Sequence, residues 1–528
     1  MLRAVVAAIT FSLCASLGAH SAQAQIVVQT DAGPVRGVAA GSVTMFLGIP
    51  YAAPPIGELR WKPPQAPKAW SVPREADNFG ARCPQTAVVG EFSAPSSTED
   101  CLFLNVFVPS GTVEGRKLAV MFWIPGGGFF AGGSNDYDPS RIVVDGGVVL
   151  VSINYRIGLL GFFAQPEINA EGHAFGNYGL LDQQFALQWV HKNIAAFGGD
   201  PDNITIFGES AGAISVYGHL AAPGSSGLFH KAILESGFTD YAKSIRANPR
   251  SVITPLADAE QLADKFAVAA GCNKDVPTCL RQLPVQKIID QQMPFISGLI
   301  DGAPPVPEPL DSVIRNGTFN RVPIINGTNH DEWRWPLART ELRTGKPLTT
   351  EQYPIELGNF FGDLAPKVAD EYTPAQFRSP SEALAAAETD AYFSCAALRN
   401  DARLANYVPV YGYEFNDANA PMYMPTPSFP YGAAHTAELQ FLFPMFHGGS
   451  GVSHPLTPEE SALSAMMVRY WSNFAKSGDP NSAGLPFWPK ISPAENSMLS
   501  LNTPVPSMLA GASLSGDHKC AFWRAALP

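Results

Sequence analysis

The residues best equipped for chemistry in this chain gather at Gly208-Glu209-Ser210-Ala211-Gly212. The β-branched and aromatic run Asn203-Ile204-Thr205-Ile206-Phe207 leads into them, and Ala213-Ile214-Ser215-Val216 follows in a helix-compatible pattern. A strand, a sharp turn and a helix predict a nucleophile elbow, whose flanking glycines let the chain turn tightly enough to lift the Ser210 hydroxyl above a sheet. The helix that begins behind Ser210 aims its free amides and positive dipole end at the same point. A bare Gly-x-Ser-x-Gly is common by chance, so the strand before it and the helix after it carry the argument.

A serine hydroxyl attacks a carbonyl only with a base to take its proton, a group that orients the base, and donors for the developing oxyanion. Folds with such an elbow take one donor from the residue after the nucleophile, here Ala211, and others from an earlier glycine-rich loop. Pro125-Gly126-Gly127-Gly128-Phe129, after the apolar run 118–124, has the right position, although a triple glycine elsewhere is an ordinary loop. In these folds the remaining members follow in the order acid, then histidine. Asn326-Gly327-Thr328-Asn329-His330-Asp331-Glu332 follows the apolar run 322–325, so Asp331 and Glu332 both stand where the acid belongs, and spacing does not choose between them. Of the ten histidines only His435, His447, His454 and His518 come later. His435, in Gly432-Ala433-Ala434-His435-Thr436-Ala437-Glu438-Leu439, follows the run 408–415 and is the best placed; a solvated loop histidine is the alternative.

These residues need a scaffold that brings strand ends together. Short β-branched or aromatic runs recur at 118–124, 148–154, 204–207, 231–234, 322–325 and 408–415, with helix-like stretches such as 180–194 and 256–270 between some of them. Continuous apolar runs separated by helices predict an α/β fold, a mostly parallel sheet covered on both faces, with ligands beyond the carboxyl ends of the strands. Prolines and glycines, 47 of each, are spread along the chain, and no low-complexity linker or internal repeat divides it.

Met1-Leu2-Arg3, an apolar run from Ala4 to about Ala19, and Ala22-Gln23-Ala24 have the layout of an export signal occupying residues 1–24. The run is shorter than the roughly 18 to 20 apolar residues of a membrane-spanning helix, so the expectation is a secreted or periplasmic protein with no anchor after cleavage. The remaining 504 of the 528 residues exceed the size at which single cores usually stop growing, which alone favours two or more domains. A net charge of −12 argues against nucleic-acid or anionic-membrane partners. Setting Cys14 aside leaves six of the seven cysteines, an even number in a chain bound for an oxidising compartment. Three disulfides are expected, with 15 pairings open, and no paired Cys-x-x-Cys indicates a metal.

Further segments give the chain a wider likeness: Phe46-Leu47-Gly48-Ile49-Pro50-Tyr51-Ala52, Glu99-Asp100-Cys101-Leu102-Phe103-Leu104-Asn105-Val106, Asn154-Tyr155-Arg156 and Cys520-Ala521-Phe522-Trp523. With the elbow, they make the mature chain resemble the type-B carboxylesterase and cholinesterase family of α/β-hydrolases. The resemblance implies a serine hydrolase of carboxylic esters, built as a single domain over 25–528, with no cofactor and a small-molecule ester as its partner. It implies Ser210 as nucleophile, Glu332 as acid, His435 as base, and oxyanion amides from Gly127, Gly128 and Ala211, supported by Glu209 and by Ser236 near the acid and histidine. It also implies the pairings Cys83–Cys101, Cys272–Cys279 and Cys395–Cys520. Amidase or lactonase chemistry suits the same triad, and a non-catalytic binding module is the remoter alternative.

The sequence departs from the family pattern in three places. Pro125 precedes the triple glycine, Trp333 replaces the usual glycine after the acid, and no tryptophan lies between Cys83 and Cys101 to bind a quaternary ammonium, which points away from choline esters. Phe129, Phe130, Trp333 and Trp335 are expected either to line an apolar substrate pocket or to pack as core. Lys243, Arg246 and Arg250, with Asp240 as the nearby acid, fall where the family has its acyl pocket. They suggest an acyl group carrying extra carboxylates, with a solvated basic loop as the alternative.

Overall fold

The computed structural model describes residues 26–87, 94–239, 252–444, 446, 454–492 and 495–527. Its main sheet is built from β1 (Ile26–Gln29), β2 (Pro34–Ala40), β3 (Val43–Pro50), β4 (Phe103–Pro109), β5 (Leu118–Ile124), β6 (Val149–Ile153), β7 (Gly199–Glu209), β8 (Lys231–Glu235), β9 (Ile324–Asn329), β10 (Val410–Phe415), β11 (Met498–Leu501) and β12 (Ser507–Leu509). They lie in the order β1-β2-β3-β4-β6-β5-β7-β8-β9-β10-β11-β12, with the short strand Arg74–Glu75 beside β2. From β6 to β11 every pairing is parallel, and antiparallel strands flank this block at both edges. The expected parallel α/β sheet is therefore the centre of a larger mixed one.

The continuous apolar runs arise because both faces of the sheet are covered. Along β5, Val120, Phe122 and Ile124 enter one core, with Leu180 and Leu187 of α1 (Tyr178–Asn193) and Ala213 and Val216 of α2 (Ala211–Ala221). Ala119, Met121 and Trp123 enter the opposite core, with Leu463 and Met467 of a later helix, Pro458–Ser477. Alternate residues of a strand face opposite sides, so a strand buried on both must be apolar throughout.

Parallel strands end on the same side, which brings Ser210 after β7, Ser236 after β8 and Glu332 after β9 to one edge. Strand β9 runs four residues further than the apolar run 322–325, through Asn329, so Glu332 follows its strand by one short turn. The next elements are α3 (Arg334–Thr344), α4 (Pro380–Thr389) and α5 (Cys395–Leu404), the last two joined by the wider π-type turn Asp390–Ser394.

The structure contains the disulfides Cys83–Cys101, Cys272–Cys279 and Cys395–Cys520, the pairs that the resemblance implies. Each stabilises a fold of this kind by about 2–4 kcal/mol, on the usual account by restricting the unfolded chain. Arg156, from the Asn-Tyr-Arg segment after β6, forms a buried fork with Asp182 of α1, at 2.7 Å from both Nε and Nη2. That bidentate pair fixes α1 against the strand ends that carry the site.

Candidate active site

Ser210 sits at φ 57°, ψ −121°, between the last residue of β7 and the first of α2. A side-chain-bearing residue avoids this region unless its surroundings enforce it. Here the enforcement is backbone: the Ser210 amide donates to Glu235 O at 2.9 Å, and its carbonyl accepts from Ile214 N at 2.9 Å. The glycines on either side have no room for a side chain. A Cβ on Gly212 would lie 2.1 Å from Ile124 O, and one on Gly208 would lie 2.7 Å from the same oxygen. The elbow is tight because two backbones touch there.

The glycine-rich loop comes to the same spot. A Cβ on Gly126 would lie 3.4 Å from Ser210 Cβ and 2.9 Å from Glu209 Oε2. Gly127 and Gly128 adopt φ 112° and 60°, and the Gly127 carbonyl accepts from Phe130 N and Ala131 N at 3.1 and 3.0 Å. The turn thus spends its carbonyl internally and leaves its amides available. Among the described residues, the N–H groups of Gly127, Gly128 and Ala211 donate to no protein acceptor. Such open, preoriented donors are what a developing oxyanion requires. Two side chains that sequence reasoning missed brace this loop: Tyr155 donates to Pro125 O at 2.7 Å, and Gln85 receives the Gly132 amide at 2.9 Å. Tyr155 lies in the Asn154-Tyr155-Arg156 segment, which gives it no role by itself, and Gln85 lies in no local pattern.

On the other side, His435 Nδ1 lies 2.5 Å from Glu332 Oε2. The other oxygen of Glu332 accepts the Asn329 amide at 2.8 Å, and the His435 amide donates to Glu332 O at 3.2 Å. A carboxylate on Nδ1 sets the tautomer that leaves Nε2 free to accept a proton. His435 Nε2 lies 3.2 Å from Glu209 Oε1, although among the described residues Glu209 makes no aligned hydrogen bond through either oxygen. Asp331, the other acid open from spacing, turns away: it pairs with Arg334 at 2.9 Å and accepts the Ala433 amide.

The histidine is surrounded by more acid than its motif suggests. Glu209, Glu235, Glu332 and Glu438 are all fully buried. Burial raises Glu209 well above the usual carboxylate range; Glu438 and Glu332 raise it further, while His435 opposes them. Burial, then the charge of Glu332, pushes Glu438 up to about 7, and burial likewise raises Glu235, whose Oε1 accepts Trp471 Nε1–H at 2.7 Å. Burial alone lowers His435, but Glu209, Glu332 and Glu438 overcome it and raise the imidazole to about 9. Like charges packed this closely share protons instead of all ionising, and each acid that takes one lowers His435. Glu438 had a sequence signal, three residues past the histidine, and Glu235 had another, preceding Ser236 as Glu209 precedes Ser210.

Other candidates divide between site and core. Ser236 is buried at φ 57° with its amide on Gly327 O at 2.8 Å, and among the described residues its Oγ bonds neither acid nor histidine. Phe129 is 0 % exposed and packs edge-on against Phe162 at 4.7 Å, so it is core rather than pocket wall. Trp335 is also buried: its indole N–H donates to Tyr423 Oη at 2.8 Å and its ring centre lies 6.0 Å from that of His435. Phe130 and Trp333 remain half-exposed, with Trp333 against Phe393, whose ring lies 5.6 Å from His435. Phe393 comes from the π-type turn and carries no sequence signal. Lys243, Arg246 and Arg250, with Asp240, lie outside the described residues.

A second ionisable cluster lies beside the acid. Side-chain atoms of His330, Asp517 and His518 fall within 4.8 Å of one another, a spacing that suits a metal. Both ring nitrogens of His518, however, are held at 2.6 Å by carboxylates, Nδ1 by Asp390 and Nε2 by Glu414. Burial lowers His518, but the two carboxylates prevail and raise it well above its ordinary value, so the group is an ion-paired imidazolium rather than a ligand set.

The chain matches the carboxylesterase family over residues 24–523. It is 36 % identical to a human cocaine esterase over 94 % of this chain and 89 % of that one. It is 34 % identical to a mouse acylcarnitine hydrolase, over 97 % and 93 % of the two. A carboxylesterase of Geobacillus stearothermophilus superposes with a TM-score of 0.79 at 30 % identity, covering 95 % of this chain and 100 % of that one. A thermophilic pNB esterase gives a TM-score of 0.77, also at 30 % identity, over 94 % and 100 %. With this fold and site geometry, the chain belongs to the carboxylesterase family of α/β-hydrolases and is a carboxylic-ester hydrolase.

Proposed function

We propose that the protein is an exported serine carboxylesterase that works through an acyl-enzyme on Ser210. His435 takes the Ser210 proton at Nε2 as Oγ attacks the ester carbonyl, while Glu332 fixes the imidazole through Nδ1. The amides of Gly127, Gly128 and Ala211 receive the oxyanion; losing one such donor typically costs on the order of 3 kcal/mol of transition-state stabilisation. The tetrahedral intermediate collapses, the alcohol departs with the proton from His435, and a water activated by the same histidine releases the acid. The observation that carries this reading is the meeting of three unengaged amides at a strained serine, across from a buried Glu332–His435 pair.

Ser210→Ala is expected to remove essentially all hydrolysis of p-nitrophenyl esters while leaving thermal unfolding unchanged; retention of more than a few per cent of the rate contradicts the assignment. We read residues 1–24 as an export signal and 25–528 as one domain delivered outside the cytoplasm or to the periplasm, a destination that suits three disulfides. The basic stretch at Lys243, Arg246 and Arg250 supports a preference for acyl groups bearing extra carboxylates. A tricarballylate-type ester compared with a neutral ester, in wild type and in Lys243→Ala/Arg246→Ala, tests this: a preference that survives both substitutions excludes it.

A further inference from the structure

The residue after His435 is Thr436, buried at φ 71°. Glycine reaches this region freely, whereas a β-branched side chain there is an outlier that only its surroundings can maintain. Those surroundings are specific. The Thr436 Oγ1 and Tyr423 Oη share a hydrogen bond at 3.0 Å, and Trp335 Nε1–H donates to the same Tyr423 oxygen at 2.8 Å. Trp335 is itself fixed, with the Arg339 guanidinium 4.8 Å over its ring. All three residues of the chain Trp335–Tyr423–Thr436 are buried.

The path of this chain gives it a purpose. Trp335 belongs to α3, whose first turn begins two residues after Glu332, and Thr436 adjoins His435. The acid and base segments are thus joined at the site itself, by the 2.5 Å Glu332–His435 contact and by the His435 amide on Glu332 O, and again by three side chains running beside them. The direct contacts orient the imidazole and hold the His435 amide, and the second link acts on the residue that follows, Thr436. Thr436 O accepts the Leu439 amide at 3.2 Å, so the strained residue also starts the turn that presents Glu438.

We propose that Tyr423 and Trp335 are positioning residues that hold Thr436 in its left-handed conformation and thereby fix the His435 backbone against Glu332. The inference rests on the reading of His435 as the base. A misplacement of about 1 Å in such a group is enough to cost on the order of 100-fold in rate. The backbone restraint and the side-chain tether predict an unusual order of variants. Thr436→Val preserves size but loses the tether while keeping the strain; Thr436→Gly loses size and tether but removes the strain.

The test is steady-state hydrolysis of p-nitrophenyl acetate by wild type, Thr436→Val, Thr436→Gly, Tyr423→Phe, Tyr423→Phe/Thr436→Gly and His435→Gln. The expected result is a fall in kcat of roughly tenfold or more, with KM little changed, in Thr436→Val and Tyr423→Phe. Thr436→Gly should lose less than either, and the double variant should recover the loss of Tyr423→Phe. A site that needs Thr436 only as packing volume gives the opposite order, with glycine worse than valine and no rescue, and that order overturns the proposal. Should Thr436→Val fail to accumulate, Tyr423→Phe and its rescue by glycine decide. An active His435→Gln would instead remove the underlying reading of the base, independently of the order at Thr436.

Discussion

The Ser210 side of the site is held in place chiefly by backbone, and the His435 side chiefly by side chains, although its amide also rests on Glu332 O. At the elbow, Gly208 and Gly212 touch the Ile124 carbonyl, and the Ser210 amide hangs from Glu235 O. Around the histidine, geometry passes through Glu332 and the Trp335–Tyr423–Thr436 chain, with Glu209 3.2 Å from Nε2. The difference shows how one site can be rigid and still titrate. Contacts between backbones admit no added carbon but carry no charge to tune, whereas buried carboxyls shift with every proton they share.

The largest effect follows from adding one carbon on the backbone side. Gly212→Ala places a Cβ 2.1 Å from Ile124 O, so the strand or the elbow must move. Activity is expected to fall by on the order of 100-fold, or the protein to fail to accumulate. Near-normal kcat with normal thermal unfolding would show that the elbow has slack and would break the contrast.

A smaller and different effect is expected on the side-chain side. The charges of Glu209, Glu332 and Glu438 raise His435 to about 9. A histidine that serves as base is active when unprotonated, so the rate should climb with pH through its apparent pKa. Glu209→Gln removes the strongest of the raising charges, so the acid limb of kcat/KM should move to lower pH, with a modest change in the plateau. An unmoved limb would show that Glu209 carries no charge there in the working enzyme, and a limb moved upward would contradict the electrostatic account.

The two sides also differed in what the sequence disclosed. Backbone-built features are written in local patterns: glycines at fixed offsets, an apolar run before them and a helix behind, which is why Ser210, Ala211 and the Gly127-Gly128 loop could be read directly. Chain order narrowed the base to four histidines but left Asp331 and Glu332 level. What separates them is a tertiary fact, since Asp331 is taken by Arg334 and the Ala433 amide. Phe129 and Trp335 were open between pocket and core because an aromatic ring suits either, and only packing against Phe162 and Tyr423 decides. Tyr423, Phe393 and Gln85 had no signal, because each acts on partners far away in sequence, Trp335, His435 and Gly132. The parallel centre of the sheet was legible from its doubly buried strands, while its antiparallel edges were not.

The central claim is that Ser210 is the residue that becomes acylated. Treatment of the intact protein with a fluorophosphonate probe, followed by peptide mapping in a mass spectrometer, tests it most directly. The account predicts an adduct on the peptide containing Ser210, loss of ester hydrolysis in proportion to labelling, and no adduct in Ser210→Ala. Labelling at another residue that abolishes activity, or full activity with Ser210 modified, would contradict it.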